Sequence, residues 1–315
     1  LVQINTIQPG APGNSYQTPI IDTSSITRKY LDVNYTPDKP HPMRMLDVYL
    51  PDTGDGPYPV IIYMHGGGFI GGQKNAVSVG KFMEALDEGF AFVSVEQRLC
   101  IPMPDGSFNP EGVFPWSLFD LKAAIRYLRV NACSYKLDQN RFALVGTSAG
   151  GYHVAMAAAT QNIPVMYDDS LGFAAVSETV HAVVDLFGVG DMTLQSAFID
   201  EKIKKPSEGS LMIQRQNNAD VFLGVSCIDH PNLAYFANPE NWVTTDLPPM
   251  LIQAGAADGI VPAECSRRLA RRIEEVCGKG RAVYDEFTDY KHGDPRFHDP
   301  ANHRRIFDWL KEKLS

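Results

Sequence analysis

The chain has 315 residues, enough for one large domain or two small ones, and its 44% hydrophobic content is ordinary for a protein with a packed core. Thirty-seven acidic against 28 basic side chains leave a net charge of −9, which argues against nucleic acid or an anionic membrane as partner, since both need a basic surface. No apolar run approaches the ~18 residues needed to cross a bilayer.

Residues 1 to about 22 are rich in Gly, Pro, Asn, Gln and Ser with little periodicity. They read as a surface arm, ending by residue 25, ahead of one domain over 26–315. Ile26 to Tyr35 and Met43 to Leu50 carry β-branched and aromatic residues around the turn-rich Thr36-Pro37-Asp38-Lys39-Pro40, the pattern of an antiparallel pair. Apolar strands are then predicted at Val60–Met64, Ala91–Val95, Arg141–Val145, Ala182–Phe187, Met250–Ala254 and Ala282–Phe287. Helical patterns fall at Ser78–Glu88, Leu118–Asn131, Tyr152–Thr160 and Ala263–Val276, with a closing helix at Phe307–Leu314. Alternating strand and helix implies an α/β fold with a mostly parallel central sheet and helices on both faces. The alternation lapses between Met192 and Trp242, where charge (Asp200-Glu201-Lys202, Lys204-Lys205) mixes with Gln, Asn and scattered apolar residues. A long excursion at the carboxyl end of such a sheet usually covers a site, so about 192–242 is expected to form a small cap insertion and no second domain.

The stretch that carries chemistry is Gly146-Thr147-Ser148-Ala149-Gly150. It follows the apolar run Phe142–Val145 and precedes a helix-favouring run, the strand–turn–helix setting of a nucleophile elbow. A serine hydroxyl needs a base to take its proton, and that base needs a carboxylate to orient it. In this architecture the chain order is serine, acid, histidine. Asp258 follows the strand Met250–Ala254, on a loop at the edge where ligands bind; Asp185, on an earlier strand, is the alternative acid. His292 follows the strand Ala282–Phe287, and His298 and His303 are the alternative bases. His153 is expected to pack inside the helix after the elbow. Upstream, His65-Gly66-Gly67-Gly68 follows Val60–Met64. Gly67, Gly68 and Ala149 are the expected backbone N–H donors to an oxyanion, with His65 organising the loop and a side chain at Gly67 expected to disturb it. Arg98 and Asp120 are candidates for an ion pair under that loop. Phe69, Trp116, Phe187 and Tyr290 lie on loops expected to surround Ser148 and are candidate pocket residues. No His-Glu-x-x-His or clustered Cys/His spacing suggests a metal, and no cofactor is expected. The five cysteines (Cys100, Cys133, Cys227, Cys265, Cys277) are scattered and odd in number, which suggests reduced thiols and a cytoplasmic setting. The chain starts at Leu1 and not Met, so secretion stays open.

These motifs together resemble the esterase/lipase branch of the α/β-hydrolase superfamily, which holds hormone-sensitive-lipase-like esterases, bacterial feruloyl-esterase-like proteins and carbohydrate acetylesterases. The matching pieces are His65-Gly66-Gly67-Gly68-Phe69, Gln97-Arg98-Leu99, Phe114-Pro115 with the Asp120–Arg129 helix, Gly146 to Gly151, Asp258 with Val261-Pro262, and His292-Gly293-Asp294-Pro295. The last resembles the feruloyl- and acetyl-esterase-like branch and favours His292 over His298. The sequence departs from the usual pattern at Glu96-Gln97, where an aspartate-tyrosine is usual, and at Gly255-Ala256-Ala257, where the loop is usually polar. The resemblance implies an α/β-hydrolase fold and a serine esterase acting on short-chain acyl esters, with an acetylesterase on sugars or other small alcohols foremost. General carboxylesterase or feruloyl-type activity is the alternative, and an amidase, a peptidase or a non-catalytic binding protein on the same fold stands behind it. The partner implied is a small-molecule ester, with an acylated oligosaccharide in view; homo-oligomerisation is left open.

Overall fold

A computed structural model describes residues 19–204 and 216–315. The expected arm falls largely on residues 1–18, outside the described residues, as does the Lys205 end of the charged run in the insertion. Ile20 bridges to Ala76, and Ile21 is buried in one cluster with Val79 and Phe82.

Eight strands form one sheet: β1 (Lys29–Asn34), β2 (Met45–Tyr49), β3 (Tyr58–Met64), β4 (Ala91–Val95), β5 (Leu137–Thr147), β6 (Ala182–Leu186), β7 (Met250–Gly255) and β8 (Ala282–Phe287). Their order across the sheet is β1-β2-β4-β3-β5-β6-β7-β8. The β1–β2 and β2–β4 pairs are antiparallel; every other neighbouring pair is parallel. Every residue of β4, β6 and β7 is buried, as parallel strands covered on both faces require.

The helices are α1 (Val77–Gly80), α2 (Trp116–Val130), α3 (Ala149–Ala159), α4 (Met192–Lys204), α5 (Asn218–Leu223), α6 (Pro231–Phe236), α7 (Ala263–Cys277) and α8 (Pro300–Lys313). Alternate residues of each strand feed two apolar clusters. Val60, Ile62 and Met64 face Leu118 of α2, Val154 of α3 and Leu269 of α7, whereas Ile61 and Tyr63 face Val79 of α1 and Ile306 of α8.

Two helices differ from the sequence expectation. The segment predicted as one helix over Ser78–Glu88 is the four-residue α1 followed by a 3-10 stretch over Lys81–Leu86. Gly80 stands at the junction, a residue that costs helix about 1 kcal/mol relative to alanine. The closing helix starts at Pro300, not Phe307, with Pro in its first turn, where the missing N–H costs nothing.

Parallel pairing sets the carboxyl ends of β3, β5, β7 and β8 along one edge of the sheet. The loops leaving them carry His65 to Gly68, Ser148, Asp258 and His292. The insertion reaches the same edge through α4, α5, α6 and a 3-10 turn at Pro239–Trp242. Its Ala219, Phe222, Leu223, Ala234 and Ala237 are buried in the same cluster as α2 and α3.

Candidate active site

β5 turns into α3 through Ser148, whose φ of +54° and ψ of −122° lie outside the regions open to ordinary residues. Such strain persists only where the surroundings hold it. Here Ser148 N–H donates to Leu186 O at 2.9 Å and Tyr152 N–H to Ser148 O at 3.1 Å. The turn passes so close to β3 that a Cβ at Gly150 would meet Met64 O at 2.1 Å.

His292 Nε2 lies 2.9 Å from Ser148 Oγ, and His292 Nδ1 lies 2.7 Å from Asp258 Oδ2. The other carboxylate oxygen of Asp258 accepts from Ile260 N–H at 2.8 Å and Val261 N–H at 2.9 Å. Those bonds fix the carboxylate and leave Oδ2 to the imidazole, so Nδ1 carries a proton and Nε2 is free to accept one from the serine. The loops of Asp258 and His292 are tied together as well: Ala256 N–H donates to Phe287 O at 2.8 Å and Ala257 N–H to Tyr290 O at 3.1 Å. The edge of the Phe187 ring packs on His292, with centroids 5.0 Å apart. The arrangement can draw a proton from a hydroxyl and hold the resulting imidazolium beside a buried carboxylate.

Beside the elbow, Gly67 adopts φ +134°, and a Cβ there would lie 1.9 Å from Gly71 O. Among the described residues, the N–H groups of Gly67, Gly68 and Ala149 donate to no protein acceptor. Ala149 also opens α3, whose N-terminal end favours negative charge. His65 anchors the loop. Its Nδ1 lies 2.8 Å from Gly66 O and its Nε2 2.8 Å from Glu96 Oε1, so both ring nitrogens face oxygens and the protonated ring is favoured. Burial works against that charge, but the Glu96 carboxylate and the two hydrogen bonds outweigh it and raise the His65 pKa above its ordinary value. The second oxygen of Glu96 accepts from Lys74 N–H at 3.0 Å. Glu96, the first of the two departures from the family pattern, thus ties the glycine loop to the next loop of the chain.

The remaining candidates are engaged elsewhere. Asp120 is fully buried and accepts from Arg98 Nε and Nη2, both at 2.8 Å, and from Arg44 Nε at 3.0 Å. Asp185 takes the Gly188 N–H at 2.9 Å beneath the elbow; burial pushes its pKa up to about 7 against that bond. His298 and His303 face each other at 3.4 Å, and His303 also pairs with Glu84. His153 donates to Ala149 O, accepts from the Ser117 hydroxyl, and is held neutral by burial, with a pKa near 4. No group of three or more His, Cys, Asp or Glu among the described residues is placed to hold a metal ion, and no described helix is long and apolar enough to cross a membrane.

A cavity of about 40 Å³ opens beside Ser148, lined by Gly68, Phe69, Ala149, Val189, Gln195, Ile199, Gln216, Asn218, Ala219, Ile260 and Val261. Of the four aromatic residues expected around the serine, Phe69 alone lines it, stacked on Phe222 at 4.0 Å. Phe187 is spent on His292. Trp116 is turned outward under the Arg98 guanidinium, 5.6 Å from its ring centroid, and Tyr290 stacks on Phe287 in a separate open groove. Shared position on the sheet edge does not imply a shared direction, which is why Trp116 and Tyr290 fall away from the cavity. The residues that replace them come largely from α4 and α5. Their segment carries no spacing signal that could have marked them.

The BD-FAE family model matches residues 46–273. Among curated proteins, the chain is similar to Esterase LipC of Mycobacterium tuberculosis, 27% identical over 80% of this chain and 57% of that one. It is also similar to Esterase LipQ of the same organism, 26% identical over 79% of this chain and 53% of that one. The chain therefore spans little more than half the length of these relatives. Among solved structures, a truncated carbohydrate esterase from gut microbiota superposes with a TM-score of 0.76 at 25% identity, covering 93% of this chain and 98% of that one. The eight-stranded, mostly parallel sheet with its helices is an α/β-hydrolase fold of the esterase/lipase branch.

Proposed function

The chain belongs to the BD-FAE family, and from that premise we propose that it is a serine carboxylic ester hydrolase. Ser148 is the nucleophile, His292 the proton carrier and Asp258 the group that orients it. The observation that carries the reading is the unbroken relay from Ser148 Oγ through His292 to Asp258, at 2.9 and 2.7 Å. His292 Nε2 takes the hydroxyl proton as Ser148 Oγ bonds to the ester carbonyl carbon. The carbonyl oxygen, now an anion, is held by the N–H groups of Gly67, Gly68 and Ala149. His292 then protonates the departing alcohol oxygen as the ester C–O bond breaks. Water, deprotonated by His292, attacks the acyl-enzyme, and its proton returns to Ser148 as the acid leaves.

The substrate reading is a short acyl ester, foremost an acetyl ester of a sugar or small alcohol. The size of the cavity supports the short acyl group: about 10–15 Å³ of such volume holds one water-sized group, so about 40 Å³ takes roughly three. The likeness to a carbohydrate esterase supports the sugar. Residues 26–315 act in this reading as one domain, with the 192–242 insertion as its cap.

The test is hydrolysis of p-nitrophenyl acetate, butyrate and octanoate beside acetylated xylo-oligosaccharide. We expect strong deacetylation and a steep fall by butyrate, and Ser148→Ala is expected to lose at least about 10⁴-fold in kcat. A Ser148→Ala protein with full activity would sink the reading. Activity on the long chains with none on the sugar would replace the acetylesterase by a general carboxylesterase.

A further inference from the structure

One side chain lining the cavity beside Ser148 carries an unspent polar atom. Gln195, on α4, is 5% exposed. Its Nε2 donates to Ile260 O at 2.8 Å, which fixes which end of the amide is the oxygen. Gln195 Oε1 is buried and finds no hydrogen-bond partner among the described residues. A buried carbonyl left without a donor costs about 1–3 kcal/mol, so native proteins rarely carry one without a use for it. Gln195 itself lines the cavity with Ser148, amid the apolar walls of Val189, Ile199, Ala219 and Val261. Asn218, from α5, adds a second amide to the lining, its Nδ2 lying against Gly68.

We propose that Gln195 Oε1 accepts a hydrogen bond from a hydroxyl of the bound substrate, and that this contact selects hydroxylated esters over plain alkyl esters. The inference rests on the esterase reading of the site and narrows it to a substrate class. An alkyl ester leaves the Gln195 carbonyl as unpaired as it is in the free site. A monoester of a diol or sugar, with a free hydroxyl beside the ester-bearing carbon, supplies the missing donor. The hydroxylated ester is favoured because it satisfies an acceptor that already stands out of water, which the alkyl ester cannot do. Gln195 is a specificity-determining residue: it transfers no proton and touches neither Ser148 Oγ nor the developing oxyanion in this scheme. Its bond to Ile260, two residues past Asp258, holds the amide at a fixed distance from the relay.

The test compares kcat/KM for ethylene glycol monoacetate and ethyl acetate in the wild type, Gln195→Met and Gln195→Glu. We expect the wild type to prefer the hydroxylated ester by about tenfold or more, the increment of one satisfied buried acceptor. In Gln195→Met, which removes the acceptor at similar volume, the preference should fall towards unity. In Gln195→Glu, which keeps an oxygen there, it should survive. Ethyl lactate against ethyl propionate distinguishes a hydroxyl on the acyl side from one on the alcohol side; selectivity in either pair that vanishes in Gln195→Met supports the contact. A preference that is absent in the wild type, or unchanged in Gln195→Met, overturns it. So does a fall of equal size on both esters, the mark of a merely structural role. Binding of the same esters to Ser148→Ala, with and without Gln195→Met, reads the contact without chemistry. Loss of all hydrolysis in the wild type would count against the esterase reading alone, while the binding pair still decides Gln195.

Discussion

The two walls of the cavity at Ser148 are built differently. The wall carried by the sheet, comprising the elbow, the loop after Asp258 and the glycine loop, has the charged and ring atoms of these loops and of His292 committed to named partners. Both oxygens of Asp258 and of Glu96 are taken, as are both ring nitrogens of His65 and of His292. The wall carried by the insertion mixes apolar Ile199 and Ala219 with the neutral amides of Gln195, Gln216 and Asn218, and holds the unpaired carbonyl of Gln195. A prearranged polar frame suits chemistry, because donors aimed beforehand cost no reorganisation when charge develops. A wall of side chains from inserted helices suits selection, because a methyl group or an amide can change there without moving the frame. The comparison predicts that substitutions in the sheet wall change rate and stability, while those in the insertion wall change which ester is chosen.

The largest effect tests the sheet wall. Asp258→Asn leaves the shape intact but reverses the hydrogen-bond demand on His292 Nδ1, favouring the tautomer that cannot accept from Ser148. We expect kcat for p-nitrophenyl acetate to fall by about 10⁴-fold, with melting temperature nearly unchanged. A loss under tenfold would mean that the carboxylate does not orient the base, and the division between the walls would lose its firmest side.

That Asp258, Ser148 and His292 meet was legible in the sequence for a geometric reason. In a parallel sheet, each strand that is read correctly delivers its following loop to one edge, and β5, β7 and β8 were readable from their apolar runs. The His292-Gly293-Asp294-Pro295 motif already favoured His292 over His298, and the structure turns His298 and His303 towards each other, with His303 also paired to Glu84. The cavity wall was not legible. Trp116, opening α2, and Tyr290, on the loop after β8, point to Arg98 and Phe287, a rotation that no spacing encodes. Gln195, Ile199 and Ala219 lie where the apolar periodicity is broken, on α4 and the short α5. Glu96 was visible only as a departure from a pattern; its partner His65 lies 31 residues away in sequence.

A middle-sized effect tests how far the sheet wall depends on charge. The raised His65 pKa means that the folded state binds this proton more tightly than the unfolded chain, whose value lies near 6.5. Its stabilisation is therefore complete below about pH 6.5 and is lost as pH rises through the folded value. Glu96→Gln removes the charge that holds the proton. We expect it to cost about 2 kcal/mol in urea unfolding at pH 5.5 and distinctly less at pH 9.5. Equal losses at the two pH values would show that Glu96 acts through packing and its Lys74 bond, with His65 neutral.

The smallest effect tests the insertion wall. Ile199 is 5% exposed and lines the cavity from α4. Trimming it to alanine removes three carbons from a space of about 40 Å³. One methylene in a hydrophobic pocket is worth about 1–3 kcal/mol of discrimination. The ratio of kcat/KM for p-nitrophenyl acetate to that for butyrate should therefore fall about tenfold in Ile199→Ala and by less in Ile199→Val. The alanine variant should also lose stability, as large-to-small changes at buried sites do. The decisive readout is consequently the ratio within each protein, measured well below its melting temperature, where a general loss of folded enzyme cancels. If the ratio keeps its wild-type value while stability falls, Ile199 supports the insertion without bounding the acyl group. The acyl chain would then leave the cavity by another side, and the insertion wall would keep only the Gln195 contact as its means of selection.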